Sequence, residues 1–238
     1  MKTMTRSRLL SSVLVGITVA LCAAGSASAA AAPEDRILPA EQYTSEKARN
    51  LAKTYRSAML EFNSRIYHCL PWVEVQKGSI GFFKPKGAEG DARYMSVRLY
   101  IEQEPSPQFS GLAVEERASS MFSRYVGPMI KRMAVAPGLM NDSSVDGFTV
   151  ILEWLKQSPS SASARPIHET IAAFVPKQAA REYLTGMVAP RDFVAKARVM
   201  GWDGETALGQ LRLSAWEDNF LSTFKVKNYE VAPGITCP

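Results

Sequence analysis

The stretch that decides the fold runs from Gly147 to Val175 and reads GFTVILEWLKQSPSSASARPIHETIAAFV. It holds two strand-like runs of similar length, Gly147–Gln157 and Arg165–Val175, with the small and polar segment Ser158–Ala164 between them. Strand-like runs on either side of a turn-rich segment are typical of a β-hairpin. An interdomain linker is the alternative, but the matched lengths favour the hairpin. Phe148–Leu155 is apolar at nearly every position, which predicts a central strand.

An alternating strand precedes this stretch, at Arg93–Glu102. Its period of two predicts a half-buried strand. The apolar side is formed by Met95, Val97, Leu99 and Ile101, and the polar side by Tyr94, Ser96, Arg98 and Tyr100. Further upstream, Trp72–Gln76 and Ser79–Lys84 are short strand candidates, and Lys77-Gly78 between them predicts a tight turn.

Two more strand candidates follow the central hairpin, at Phe193–Met200 and Leu208–Trp216. The Asp203-Gly204 pair between them predicts a second tight turn. Phe220–Lys227 reads either as a final strand or as a short helix.

Helical periodicity occurs in three places. The first helix begins near Thr44-Ser45-Glu46, where a hydroxyl can cap it, and ends before Pro71. Its apolar stripe repeats every three or four residues through Ala48, Leu51, Ala52, Tyr55, Ala58, Met59, Phe62 and Ile66. The second, Leu112–Ala134, is interrupted by Gly127-Pro128, so either it kinks or Pro128 opens another short helix. Pro176 opens the third, Lys177–Leu184.

Hairpins dominate this order of elements, and no regular alternation of strand and helix appears. We therefore predict an α+β fold with a mainly antiparallel sheet of about 6–8 strands. Two long helices and one or two short ones are expected to pack on one face of that sheet.

The N-terminus has the three parts of a secretory signal. Met1–Arg8 is basic, Leu9–Leu21 is apolar, and Ala23–Ala32 consists of small residues with a predicted cleavage site after Ala29. An uncleaved anchor and lipidation of Cys22 are weaker alternatives. The predicted organisation is a signal peptide over 1–29, a disordered mature N-terminus over 30–42 and one α+β domain over 43–238. A division near 158–165 is the less favoured alternative. We expect an exported bacterial cell-envelope protein, periplasmic or extracellular.

The net positive charge of the whole chain comes largely from this leader. The whole sequence has 28 Lys and Arg against 23 Asp and Glu, but the mature chain has 25 against 23. No Lys/Arg block survives, so nucleic acid is not an expected partner. No later apolar run reaches the roughly 18 residues needed to span a bilayer, so no transmembrane segment is expected after signal removal.

Two cysteines, Cys69 and Cys237, remain after cleavage. In an oxidising compartment an even count favours pairing, so we predict a disulfide between them. Two independent thiols are the alternative.

Motifs for catalysis or cofactor binding are missing from the sequence. His68 and His168 are the two histidines, and no HExxH, CxxC, P-loop or GxGxxG pattern is present. We therefore expect no metal site and no cofactor, although many active sites assemble from scattered residues.

The polar side of the Arg93–Glu102 strand carries the best binding candidates: Tyr94, Arg98 and Tyr100. Aromatic side chains beside an arginine on an exposed sheet face can bind a ligand or a partner. The favoured interpretation, however, is that a helix covers this face and the tyrosines belong to the core. The favoured hypothesis is a non-enzymatic protein that binds a protein partner or an apolar small molecule. The alternative is an exported hydrolase, which a deep cleft holding His68 or His168 within hydrogen-bond reach of a Ser, Cys, Asp or Glu would favour.

Overall fold

The computed structural model describes residues 30–102, 106–157, 166–215 and 236–237. The predicted signal peptide, the Ser158–Ala164 loop and the Phe220–Lys227 element lie outside the described residues.

The fold is α+β, as predicted, with a seven-stranded sheet in the order β1-β3-β4-β5-β6-β7, and β2 also pairs with β3. Every neighbouring pair is antiparallel except β3 and β4. The pairing of β4 with β5 confirms the predicted hairpin. The strands are β1 (Val73–Val75), β2 (Gly81–Phe83), β3 (Tyr94–Ile101), β4 (Gly147–Gln157), β5 (Ile167–Pro176), β6 (Arg198–Asp203) and β7 (Thr206–Gln210).

The helices precede the sheet or connect its strands. A π-helical turn, Phe122–Val126, lies between α4 and α5, so the predicted second helix is divided, and Pro128 lies in the first turn of α5. The helices are α1 (Glu46–Thr54), α2 (Arg56–Cys69), α3 (Pro107–Ser110), α4 (Val114–Met121), α5 (Gly127–Met133), α6 (Lys177–Leu184) and α7 (Pro190–Phe193). Because α3, α4 and α5 connect β3 to β4, they form the crossover that a parallel pair requires.

One face of the sheet is buried under these helices. The apolar side of β3 is fully buried there, and on β4 the side chains of Phe148, Val150, Leu152 and Trp154 point the same way. Helical residues such as Phe62 and Ile130 join them in a single hydrophobic cluster. The helices therefore pack on one face, as the pattern predicts.

The predicted first helix is bent into two at Tyr55, which has φ −102° and ψ 15°. Backbone hydrogen bonds continue through the bend, from the Tyr55 amide to Leu51 and from the Met59 amide to Tyr55, both at 2.9 Å. The bend coincides with two tertiary contacts of Tyr55: its hydroxyl lies 2.9 Å from Asp142 Oδ2 and its ring lies 5.7 Å from that of Phe82. The helical periodicity of the sequence does not predict such tertiary contacts.

The predicted hairpin of β1 and β2 is wrong. Both strands pair with β3, where Val75 lies opposite Leu99 and Gly81 opposite Ser96. They are therefore two segments of one edge, separated by a protruding loop. Gly78 in that loop has φ +61°, which a glycine adopts readily, but the chain does not reverse its direction there.

The expectation of disorder over 30–42 is also corrected. Ile37 is 3% exposed, and it bridges Ile80 while the Leu38 amide donates to the Ile80 carbonyl at 2.9 Å. Asn63 Nδ2 on α2 donates to the Pro33 carbonyl at 2.8 Å. The polar composition predicted a free segment, but one apolar side chain and several backbone bonds attach it to the edge of the sheet.

The strand predicted at Phe193–Met200 begins later, at Arg198, because Pro190–Phe193 is helical and Val194–Lys196 forms a 3₁₀ turn. Phe193 is buried and its ring stacks on Tyr183 at 4.2 Å, which explains an apolar residue outside a strand. The predicted turn is present, with Gly204 at φ +57°.

Candidate functional site

The sheet face opposite the helices carries the candidate site, and we call it the open face. Register places Arg98, Ile151 and Ala172 side by side across β3, β4 and β5. None of the open-face side chains belongs to the hydrophobic cluster that joins the helices to the sheet. On these three strands the open face consists of Tyr94, Ser96, Arg98, Tyr100, Thr149, Ile151, Glu153, Leu155, His168, Thr170, Ala172 and Phe174.

A cleft of about 410 Å³ lies in the middle of this face, and we call it the central cleft. One wall is the β1–β2 loop, Gln76–Ser79, and the other is the segment after β2, Phe83–Lys86. Its apolar lining side chains are Phe83, Pro85, Ile151 and Phe174. The cleft therefore combines an apolar floor with polar, charged walls.

Contacts with the sheet hold both walls in place. Ser79 Oγ donates to the Arg98 carbonyl at 3.2 Å. On the other side, Arg198 Nη2 donates to the Lys86 carbonyl at 3.1 Å, and the Arg198 guanidinium lies 4.6 Å from the centre of the Phe174 ring. A cation over an aromatic face is attracted by the ring's electrons. Pro85 is buried between the two exposed lysines of this wall.

The three residues predicted from β3 lie in a row but line different parts of the open face. Arg98 lines the central cleft. Tyr94 lines a neighbouring cavity of about 430 Å³, where its ring packs against the backbone of Gly147. Tyr100 lines a wider depression on the other side, together with Glu153 and His168.

Two of the cations around the central cleft are paired with carboxylates. Arg98 Nη2 lies 2.7 Å from Glu153 Oε2, which also accepts from Gln76 Nε2 at 3.1 Å. Lys77 Nζ lies 3.1 Å from Asp35 Oδ2. Lys84 and Lys86 also line the cleft, and no carboxylate of the described residues lies within salt-bridge distance of either.

Tyr100 and His168 form a contact outside the central cleft. The Tyr100 hydroxyl lies 3.4 Å from His168 Nε2, and the rings meet edge to face at 5.5 Å. Burial raises the pKa of Tyr100, and the charges of Glu102, Glu153 and Glu74 raise it further. The phenol is therefore neutral at physiological pH and can act as a hydrogen-bond donor or acceptor rather than as a base.

Among the described residues, neither histidine is hydrogen-bonded to a Ser, Cys, Asp or Glu side chain. His168 contacts Tyr100, and His68 makes an edge contact with Tyr67 at 5.0 Å. Cys69, next to His68, is bonded to Cys237 with Cα atoms 5.5 Å apart, which confirms the predicted disulfide. Its sulfur is consequently not a free nucleophile.

Apart from Arg98, sequence reasoning missed the residues that make the central cleft. Phe174 was detectable, because alternation along β5 puts it on the same side as His168. No local signal in the sequence pointed to Lys84, Pro85 and Lys86, because nothing within a loop-like segment indicates that it folds over a distant sheet face.

The described residues contain no helix with the length and apolarity needed to cross a bilayer. They also contain no cluster of three or more His, Cys, Asp or Glu side chains suited to a metal ion. In comparisons with known proteins, no family model, no curated protein and no solved structure matches this chain.

Proposed function

We propose that this is an exported, non-enzymatic binding protein of the bacterial cell envelope, and that its central cleft takes a small molecule with an apolar part. The observation that carries the proposal is the cleft itself. Its apolar floor lies on a sheet face that the described helices do not cover.

The size and lining of the cleft suit a small molecule. Ligand pockets are typically ~300–1,000 Å³, concave and mainly apolar, with a few polar groups that orient the ligand. The central cleft has about 410 Å³, an apolar floor, and polar groups on its walls such as the side chains of Gln76 and Ser79. Ile151 in the floor is only partly buried, so ligand binding would remove further apolar surface from water.

The concave shape favours a small molecule over a protein partner. Specific protein–protein interfaces need roughly 800 Å² from each partner and usually present a broad patch. Here two walls, Gln76–Ser79 and Phe83–Lys86, flank the apolar floor. A protein could reach Ile151 only by inserting a narrow segment.

The proposed compartment has two independent supports. The tripartite leader over 1–29 is that of a secretory signal. The Cys69–Cys237 disulfide is of a kind that persists in oxidising compartments and is rare in the cytosol.

Native mass spectrometry of the protein expressed with its own leader tests both parts of the proposal. We expect the polypeptide to lack residues 1–29 and to retain a small-molecule adduct in the folded state. Ile151→Asp, which places a negative charge in the floor, should abolish the adduct. The matched control is Leu208→Asp, at a side chain of β7 that is 38% exposed and outside the cleft lining, and it should retain the adduct.

Several outcomes would contradict the proposal. Equal adduct in wild type and Ile151→Asp would place the ligand elsewhere. A bound polypeptide in place of a small molecule would favour the protein-partner alternative. An uncleaved leader, or a lipid on Cys22, would contradict release into the periplasm or medium.

A further inference from the structure

We infer that the ligand of the central cleft is an anionic amphiphile, with an apolar chain on the Ile151–Phe174 floor and an anionic head group held by Lys84 and Lys86. This inference rests on the proposed function of the cleft and adds the chemical class of its ligand.

The charges that line the cleft have one sign. Its lining includes four cations, Lys77, Lys84, Lys86 and Arg98, and among the described residues no Asp or Glu. A concave surface with charges of one sign and low-dielectric walls concentrates ions of the opposite charge. The apolar floor alone would accept any hydrophobic molecule, whereas the walls select a negative one.

The four cations are not equally available to a ligand. Lys77 is paired with Asp35 and Arg98 with Glu153, so binding an anion there would compete with an existing carboxylate. Lys84 and Lys86 have no such competitor in the described part of the chain. An anionic ligand would therefore gain the most electrostatic interaction energy at these two lysines.

The wall that carries these lysines is held in position. Pro85 between them is buried, and Arg198 donates to the Lys86 carbonyl at 3.1 Å while its guanidinium covers Phe174. Pro85 and Phe174 also line the adjoining cavity, whose lining includes Arg198, and this guanidinium adds positive charge on that side. On the opposite side, Arg36 is paired with Glu74 and Lys77 with Asp35. An anionic head group would meet a competing carboxylate there, but among the described residues it would meet none at Lys84 or Lys86.

The cleft's size favours a monomeric amphiphile over a membrane surface. A bilayer would need an exposed and protruding apolar patch, whereas Ile151 and Phe174 lie at the floor of a walled cleft. A single alkyl chain or a small ring system can enter such a cleft.

A series of decyl probes tests the head group by isothermal titration calorimetry at neutral pH and low salt. The probes are decanoate, decan-1-ol and decyltrimethylammonium, which share the apolar chain and differ in charge. We expect decanoate to bind about tenfold more tightly than decanol, which corresponds to about 1.4 kcal/mol, and the cationic probe to bind most weakly. Added salt should reduce the advantage of decanoate, because these lysines are exposed.

The double variant Lys84→Gln/Lys86→Gln assigns the effect to these residues. We expect it to remove the preference for decanoate and to leave decanol binding unchanged. The matched control, Lys53→Gln/Lys131→Gln, changes the net charge equally at two exposed helical lysines and should keep the preference. Circular dichroism of each variant verifies folding, which exposed lysines affect little.

The outcomes separate the inference from the proposed function. Equal affinity for decanoate and decanol would overturn the anionic head group and leave the apolar cleft as a binding site. A preference that survives in Lys84→Gln/Lys86→Gln would overturn the assignment to these lysines. Binding of none of the three probes would overturn this inference, and the native-state adduct would then decide the proposed function separately.

Discussion

Tyr55 shows how one side chain connects three parts of the molecule. It lies at the bend between α1 and α2, its ring packs beside Phe82 of β2, and its hydroxyl lies 2.9 Å from Asp142 Oδ2. Burial, the hydrogen bond to the Asp142 carboxylate and the charge of that carboxylate together raise the pKa of Tyr55 to about 12, with burial as the largest cause. The same hydrogen bond helps to lower the pKa of Asp142, after the larger effect of the Ser144 amide.

The raised pKa of Tyr55 predicts a loss of stability in alkali. An unfolded tyrosine titrates near pH 10, and the folded one near 12. The folded state therefore holds this proton more tightly, so the contribution is complete below about pH 10 and is lost as the pH rises toward 12. Denaturant unfolding between pH 9 and 12 should show this decline, and Tyr55→Phe should reduce it, because burial also raises the pKa of other tyrosines such as Tyr43 and Tyr100.

Tyr55→Phe also removes a hydrogen bond, which should lower the free energy of unfolding at neutral pH by about 1 kcal/mol. Tyr67→Phe, at a tyrosine that is 44% exposed, serves as the control and should keep the alkaline decline. An unchanged alkaline profile in Tyr55→Phe would show that another group causes the decline.

Helices α1 and α2 dock onto the hydrophobic core through their apolar stripe. In that stripe, Leu51, Phe62 and Ile66 are 4%, 3% and 0% exposed. Lys53, on the other side of α1, is exposed. The pair is thus part of the core and not a membrane-surface helix, which would carry a stronger cationic face.

Two substitutions on these helices test, through their effect on stability, whether the helices pack into the core. Phe62→Ala should cost about 3–5 kcal/mol, because it removes a buried aromatic ring and leaves a cavity. Lys53→Ala, at an ordinary surface position, should change stability by less than about 0.5 kcal/mol. Equal stability of the two variants in denaturant melts would contradict the docked arrangement.

A second element-level contact fixes α4 on the sheet. Arg117 and Glu169 form a two-pronged ion pair, with Arg117 Nε donating to Glu169 Oε2 at 2.8 Å, and their side chains are only 7% and 1% exposed. Arg117 also donates to the carbonyl of Leu112. The two charged groups satisfy each other's hydrogen bonds. Removing one partner would therefore leave an unpaired buried charge, which would strongly destabilise the fold.

The Cys69–Cys237 disulfide acts on the whole chain. It joins the end of α2 to a residue 168 positions later. In the chain-entropy model, closing so long a loop restricts the unfolded ensemble strongly. The bond therefore stabilises the fold as a whole, independently of the cleft on the open face.

Removing this disulfide should lower the free energy of unfolding by about 2–5 kcal/mol. The measurement is denaturant unfolding of Cys69→Ser/Cys237→Ser against wild type, each with and without reductant. Reductant should destabilise wild type and leave the variant unchanged. Equal stability of wild type and variant would show that the bridge does not constrain the unfolded chain.

Local patterns in the sequence were sufficient to predict several parts of this fold. Alternation along β3 placed Tyr94, Arg98 and Tyr100 on one face, because a strand's period of two is a property of its backbone. Matched strand runs predicted the β4–β5 hairpin, and the even cysteine count predicted the disulfide. These features depend on neighbouring residues or on composition.

Tertiary structure alone decided the rest. That β1 and β2 share one partner, that β3 and β4 run parallel, and that Arg117 meets Glu169 all depend on pairings between distant residues. The central cleft is of the same kind, since Lys84 and Lys86 meet Phe174 only when the loop after β2 folds over β5. Periodicity encodes which side of an element is apolar, but the energy of packing that side against a particular distant partner exists only in the folded chain.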